Sequence, residues 1–175
     1  LPGSDMVFTA GLAGSDGIGA AIPTGRVNAN SAVHVANYLD KVKETESRTL
    51  ADDYEEERTR EALWKKHLVH LSGGVSSFEL VLYGRYVDNF KAIAESNYLG
   101  GEVATQSKTT NSATELINIA DEVNQGLSLI TFFGHSSTTV TDIDIGFVSN
   151  DELGYRNKGK YPAILLNGCN AGNVF

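Results

Sequence analysis

The sequence predicts an α/β fold in which helices cover a mostly parallel sheet. Short apolar runs of β type alternate along the chain with longer segments of helical periodicity, the pattern of parallel strands joined by crossover helices. The chain has 175 residues, of which 41% are hydrophobic and 21% charged, values typical of one globular domain. We therefore expect a single domain over residues 1–175.

Six apolar runs predict the strands of this sheet. They cover residues 6–10, 21–27, 67–71, 102–106, 127–133 and 162–166. Longer, mixed segments separate them, so each connection between neighbouring strands has room for a crossover.

Three segments place apolar residues three or four positions apart, the spacing of an amphipathic helix. They cover residues 32–45, 78–94 and 113–124. Ser31 is a suitable N-cap for the first helix, and Gly126 is placed to end the third. Residues 79–83 alone would also suit a strand, but the longer pattern favours a helix. The interleaved charges of residues 41–66 indicate a solvated helix face or connector.

Charge and composition exclude several classes of function. The 14 basic and 22 acidic residues give a net charge of −8 without a basic cluster, which argues against a nucleic-acid partner. No apolar run approaches the roughly 18 residues of a membrane span, and the first residues lack the features of a signal peptide. The start at Leu1 and the stop at Phe175 suggest a piece of a longer protein.

Several motifs indicate structure rather than chemistry. The glycines of residues 14–19 do not have the spacing of a phosphate-binding loop and predict a turn. Structural calcium is possible at Asp142 and Asp144 or in the acidic run 52–57, because carboxylates are hard oxygen ligands. Neither segment has EF-hand spacing, and a solvated acidic loop is favoured. No cofactor is required by any other pattern.

Reactive side chains follow two of the predicted strands. His135 comes directly after strand 127–133, and Cys169, the only cysteine, follows strand 162–166. The carboxyl ends of parallel strands share one edge of a sheet, so the two side chains meet there if the strands are neighbours. Glycines flank both residues and allow close approach of a substrate and of backbone N–H donors. An imidazole beside a thiol favours acyl transfer by a thiolate. The alternative is an inert buried thiol and a loop histidine.

Four stretches, in order along the chain, resemble the gingipain-like cysteine peptidases, family 25 of the cysteine peptidases. They are IPTGRV with the helix residues YLDKV (22–27 and 38–42), WKKHLVHLSGG (64–74), GLSLITFFGHSS (126–137) and KYPAILLNGCNAGNVF (160–175). The third is similar to the segment of the family's catalytic histidine, and the fourth to that of its nucleophile.

The resemblance implies a three-layer, caspase-like α/β fold with helices on both faces of the sheet. It implies that Cys169 is the nucleophile, that His135 is the base and acid, and that backbone N–H groups near Gly134, Ser136 and Cys169 form the oxyanion hole. Glu79 is a possible orienting acid. It further implies a polypeptide substrate and a secreted or outer-membrane-associated enzyme, often one that uses type IX secretion.

Two other functions remain compatible with the sequence. If an amine replaces water in the last step, the same residues would act as a sortase-like transpeptidase. A domain that keeps the fold without catalysis would serve as a surface-displayed binding module. Fast alkylation of Cys169 near neutral pH would favour an active enzyme over the binding module. The oligomeric state and the side chain preferred at the cleavage site do not follow from the sequence.

Overall fold

The computed structural model describes residues 9–14, 22, 24–51 and 60–171. The chain divides into two compact units, Leu1–Lys43 with Asn173–Phe175, and Glu44–Gly172. In the first unit, the described residues include a short 3-10 turn at Leu12–Gly14 and the first part of helix α1 (Ala32–Ala51). Ser31 caps α1 as predicted, because its Oγ accepts a hydrogen bond from the N–H of His34 at 3.3 Å.

The second unit contains a four-stranded parallel sheet. Its strands are β1 (His67–Ser72), β2 (Glu102–Ser107), β4 (Leu129–Phe133) and β6 (Ala163–Asn167), in the spatial order β2-β1-β4-β6. A smaller parallel pair joins β3 (Glu115–Leu116) to β5 (Ile143–Asp144). The four predicted strands in this region are therefore confirmed to within two residues at each end.

The second unit also contains helices α2 (Ser77–Ala94) and α3 (Ala120–Gln125), the last part of α1, and short 3-10 helices at Leu63–Lys66 and Asp151–Leu153. The helix predicted over 78–94 is confirmed, and the helix predicted over 32–45 is confirmed but continues to Ala51. Gly126 ends α3 with a φ of 108°, a backbone conformation that favours glycine. Mixed helices and a mostly parallel sheet are consistent with the predicted three-layer α/β fold.

Two predicted elements differ from the structure. The helix predicted over 113–124 is wrong in its first half, because the backbone N–H groups of Glu115 and Ile117 donate to Asp142 and Asp144 of the β5 region. Pairing with a distant strand thus overrides the local helical pattern. In the strand predicted over 21–27, the described residues form no strand. Most of the strand predicted over 6–10, residues 15–19 of the turn predicted over 14–19, and the acidic run 52–57 lie outside the described residues.

Apolar side chains pack on both faces of the sheet. On one face, Val69, Leu71, Ile130 and Phe132 form a buried core with residues of β5, α3 and their flanking loops. On the other face lies α2, whose Val87 is fully buried. The sheet is therefore covered at β1 and β4, the two central strands.

The edge strand β6 is different, because all five of its residues are exposed. Its side chains Ile164 and Leu166 line an apolar cavity of about 550 Å³, together with Ile130 and Phe132 of β4 and the exposed Phe147. Within the described part of the chain, no helix is long and apolar enough to span a membrane.

Candidate active site

The two strands that carry the predicted dyad are neighbours. β4 and β6 pair in parallel with Phe133 opposite Asn167, so His135 and Cys169 each lie two residues beyond the same point of the sheet. The N–H of Gly134 donates to the carbonyl of Asn167 at 3.2 Å, which extends the pairing by one residue. The prediction that both side chains lie at one sheet edge therefore agrees with the strand order.

A carboxylate faces the imidazole of His135. Nε2 of His135 lies 3.2 Å from Oε1 of Glu79, which is in the first turn of α2. The position of Glu79 follows from the helix cap, since the Oγ of Ser76 accepts its backbone N–H. The predicted orienting acid thus contacts the predicted base. This contact uses Nε2 and leaves Nδ1 as the ring nitrogen that can exchange a proton with a thiol.

Several donors keep Glu79 in its charged form. The N–H of Val75 donates to Oε2 at 2.9 Å and is the largest cause of a pKa below the ordinary value of 4.5. His135 and the hydroxyl of Ser76 lower the pKa further, against an opposing effect of burial. Glu79 is therefore an anion at neutral pH.

Tyr83 is a site residue that the sequence did not indicate. Its hydroxyl lies 3.3 Å from Nε2 of His135, and its ring packs edge-on against Phe133 with centroids 5.2 Å apart. Burial, and then the nearby charge of Glu79, raises the pKa of Tyr83, so the hydroxyl keeps its proton. Because residues four apart share a helix face, the position of Tyr83 relative to Glu79 could have revealed it.

Cys169 is exposed and lies in a turn that begins directly after β6. A side chain at Gly168 would collide with Ser136, so this position requires glycine. The hydroxyl of Ser136 donates to the carbonyl of Cys169 at 2.6 Å, which ties the loop after β4 to the loop after β6.

The predicted oxyanion donors differ in their availability. The N–H of Gly134 already donates to Asn167. In the part of the chain that the structure describes, the N–H groups of Ser136 and Cys169 have no protein acceptor. Of the three predicted donors, these two therefore remain available, among the described residues, to bind a developing negative charge.

The carboxylates predicted as possible calcium ligands bind backbone groups. Oδ2 of Asp142 accepts the N–H of Gly74 at 2.6 Å, and Oδ1 of Asp144 accepts the N–H of Gly146 at 2.7 Å. Among the described residues, no three His, Cys, Asp or Glu side chains are grouped so that they could hold a metal ion.

One comparison with known proteins gives a match. The model of peptidase family C25 matches residues 3–175, essentially the whole chain. No curated protein and no solved structure matches the chain.

Proposed function

The chain belongs to peptidase family C25, a family of cysteine peptidases, and on this basis we propose that it is an endopeptidase with Cys169 and His135 as its dyad. The observation that carries the proposal is the pairing of β4 with β6, which brings the loops of His135 and Cys169 to one edge of the sheet. The contact between His135 and Glu79 supports the assignment of the base.

In the proposed mechanism, the sulfur of Cys169 attacks the carbonyl carbon of the scissile peptide bond. The thiol proton passes to His135, and the carbonyl oxygen becomes an oxyanion bound by the N–H groups of Ser136 and Cys169. Collapse of this intermediate breaks the C–N bond, and His135 gives its proton to the leaving amine. The acyl group stays on Cys169 as a thioester.

Deacylation repeats these steps with water. His135 takes a proton from the attacking water, the same amides bind the second oxyanion, and the C–S bond breaks to release the carboxylic acid and the thiol. Glu79 holds the ring through Nε2 and stabilises the imidazolium that forms in each half-reaction. The hydroxyl of Tyr83 contacts the same nitrogen and limits rotation of the ring.

The substrate in this proposal is a polypeptide. The family consists of secreted or surface peptidases of the gingipain type, and we extend that location to this chain as part of the proposal. Transfer to an amine in place of water would make the same residues a transpeptidase.

Alkylation of Cys169 by iodoacetamide at pH 7 tests the dyad without knowledge of the substrate. Only a few per cent of a free thiol is ionised at this pH, so a thiolate held by His135 should react on the order of tenfold faster than free cysteine. His135→Ala should remove this advantage. His67→Ala is the matched control, because His67 also pairs with a glutamate, Glu102, but at the opposite end of β1.

A second measurement follows cleavage of an unbiased peptide library. Products that disappear in Cys169→Ala would support the endopeptidase, and products that carry an added amine would identify transpeptidation. A Cys169 that reacts no faster than free cysteine and is indifferent to His135→Ala, with no cleavage, would overturn the proposal. The family fold would then serve as a binding module.

A further inference from the structure

The peptide unit between Gly74 and Val75 supports the pair formed by His135 and Glu79. The N–H of this unit belongs to Val75 and donates to Oε2 of Glu79 at 2.9 Å. Its carbonyl belongs to Gly74 and accepts a hydrogen bond from Nζ of Lys108, also at 2.9 Å. An ammonium group is therefore connected to the carboxylate of Glu79 through one peptide, and hydrogen bonds arranged in series strengthen one another.

Asp142 holds the same turn from the other side. Its Oδ2 accepts the N–H of Gly74 at 2.6 Å, a short bond of the charge-assisted kind. The N–H of Asp142 donates to the carbonyl of His135 at 2.9 Å. Asp142 therefore contacts both the turn that supports Glu79 and the residue that carries the imidazole.

Glycines make room for this carboxylate. Gly73 follows β1 and Gly134 follows β4, and a side chain at either position would collide with Asp142. The N–H of Gly73 donates to the carbonyl of Phe133 at 2.9 Å, so the two strand ends are joined beside the carboxylate. The two glycines therefore leave space for the carboxylate of Asp142 at the strand ends.

Lys108 and Asp142 are both almost fully buried, each with 3% of its surface exposed. Burying a charged group is costly unless hydrogen bonds compensate for the lost water. Here the compensating partners are backbone groups: Nζ of Lys108 donates to the carbonyls of Gly74 and Ser112, and Oδ2 of Asp142 accepts the N–H of Gly74. Among the described residues, the buried Oδ1 of Asp142 has no hydrogen-bond partner. Because both side chains bond to backbone groups, they hold those groups in one arrangement.

Given the proposed function, on which this inference rests, we propose that Asp142 and Lys108 are positioning residues of the active site. Their hydrogen bonds to the turn of Gly74 and Val75 form a clamp that holds this turn in place. The Val75 N–H then orients the carboxylate of Glu79, and Glu79 orients the ring of His135. Neither residue touches the reacting atoms. Their effect on catalysis passes through Glu79.

The first test compares Asp142→Asn with a matched control, Asp144→Asn. Both residues lie in or next to β5, and both carboxylates accept backbone N–H bonds. Asp142 binds Gly74, beyond the end of β1, whereas Asp144 binds Thr141 and Gly146. With a cleaved peptide, Asp142→Asn should lower kcat on the order of tenfold while KM changes little, because only orientation of the base is lost. Asp144→Asn should leave kcat within about twofold of the unchanged protein.

A double-mutant cycle separates positioning from simple structural damage. If Asp142 acts through Glu79, adding Asp142→Asn to Glu79→Gln should cost less than about twofold in the alkylation rate of Cys169. Lys108→Met should behave in the same way as Asp142→Asn. Equal losses with and without Glu79→Gln, or losses that track the fraction of unfolded protein, would overturn the proposal.

The ring nitrogens of His135, observed by NMR, provide a readout that needs no activity. Asp142→Asn and Lys108→Met should shift the Nε2 signal of His135, while Asp144→Asn should not. If the unchanged protein proves inactive but this shift occurs, the clamp holds and only the proposed function fails. If the protein cleaves peptides but the shift is absent, the clamp fails and the proposed function stands.

Discussion

His135 and Cys169 end neighbouring strands, yet the two halves of the site are built differently. β4 lies between β1 and β6, its three middle residues are buried, and His135 beyond it is held by α2. All five residues of β6, by contrast, are exposed. In the described residues, the side-chain bond that holds the backbone of Cys169 comes from Ser136. Parallel strands are normally covered on both faces, so the contrast is large. The half with His135 is fixed by internal packing, whereas the half with Cys169 depends on a few local bonds.

The largest effect expected from this contrast is on stability. Ile130 of β4 and Ile164 of β6 are register partners of the same residue type, but they are 3% and 56% exposed. Ile130→Ala removes buried methyl groups and leaves a cavity, so it should lower the free energy of unfolding by about 2–5 kcal/mol. Ile164→Ala should change it by about 0.5 kcal/mol or less. Urea denaturation of both variants measures the difference.

The two isoleucines control for each other, because they share residue type, strand direction and register. Similar losses in both variants would mean that β6 is covered in solution by part of the protein or by a second copy. The comparison between the two halves would then fail for β6.

A smaller effect is expected on activity when the support of the base is removed. Glu79→Gln keeps the size of the side chain but cannot stabilise the imidazolium, so kcat for peptide cleavage should fall on the order of 10- to 100-fold. Glu102→Gln is the control, since Glu102 makes a similar contact of 3.3 Å with His67 at the other end of the sheet. If Glu102→Gln lowers kcat as much as Glu79→Gln does, then Glu79 has no specific role in supporting His135.

The half with Cys169 should respond more weakly when the hydrogen bond from Ser136 is removed. Ser136→Ala deletes the hydrogen bond to the carbonyl of Cys169, a contribution of about 0.5–1.5 kcal/mol. If this bond orients Cys169 for attack, the alkylation rate should fall about 2- to 10-fold. Ser137→Ala is the control, because its hydroxyl makes only long bonds within its own loop, donating to the carbonyl of Val140 at 3.4 Å and accepting the N–H of Thr139 at 3.5 Å. Equal rates in the two variants would show that the turn itself positions Cys169.

The sequence predicted the positions of His135 and Cys169 in the fold better than it predicted their surroundings, for physical reasons. His135 and Cys169 could be placed because strand ends follow from local apolar runs, and parallel pairing then puts them at one edge. Lys108 and Asp142 could not, because their partners are backbone groups of a turn more than 30 residues away. Residues 113–119 were misassigned for a related reason, since pairing with β5 depends on contacts that local periodicity does not contain.

The smallest expected effect is the dependence of stability on pH through Glu79. Its pKa is lowered in the folded protein, chiefly by the N–H of Val75, so folding favours its ionised form. The stabilisation is therefore complete above the ordinary value of 4.5 and is lost as the pH falls through the lowered folded value. Glu79→Gln has no charge to lose there, so the difference in unfolding free energy between the two proteins should shrink from pH 6 to about pH 3.

Because the turn of Gly74 and Val75 supplies the largest part of the shift, Asp142→Asn should reduce the same pH dependence if the clamp sets the position of Val75. Urea denaturation from pH 6 to about pH 3 measures the difference in unfolding free energy between the unchanged protein and each variant. A difference that does not change with pH would contradict the conclusion that the turn of Gly74 and Val75 lowers the pKa of Glu79.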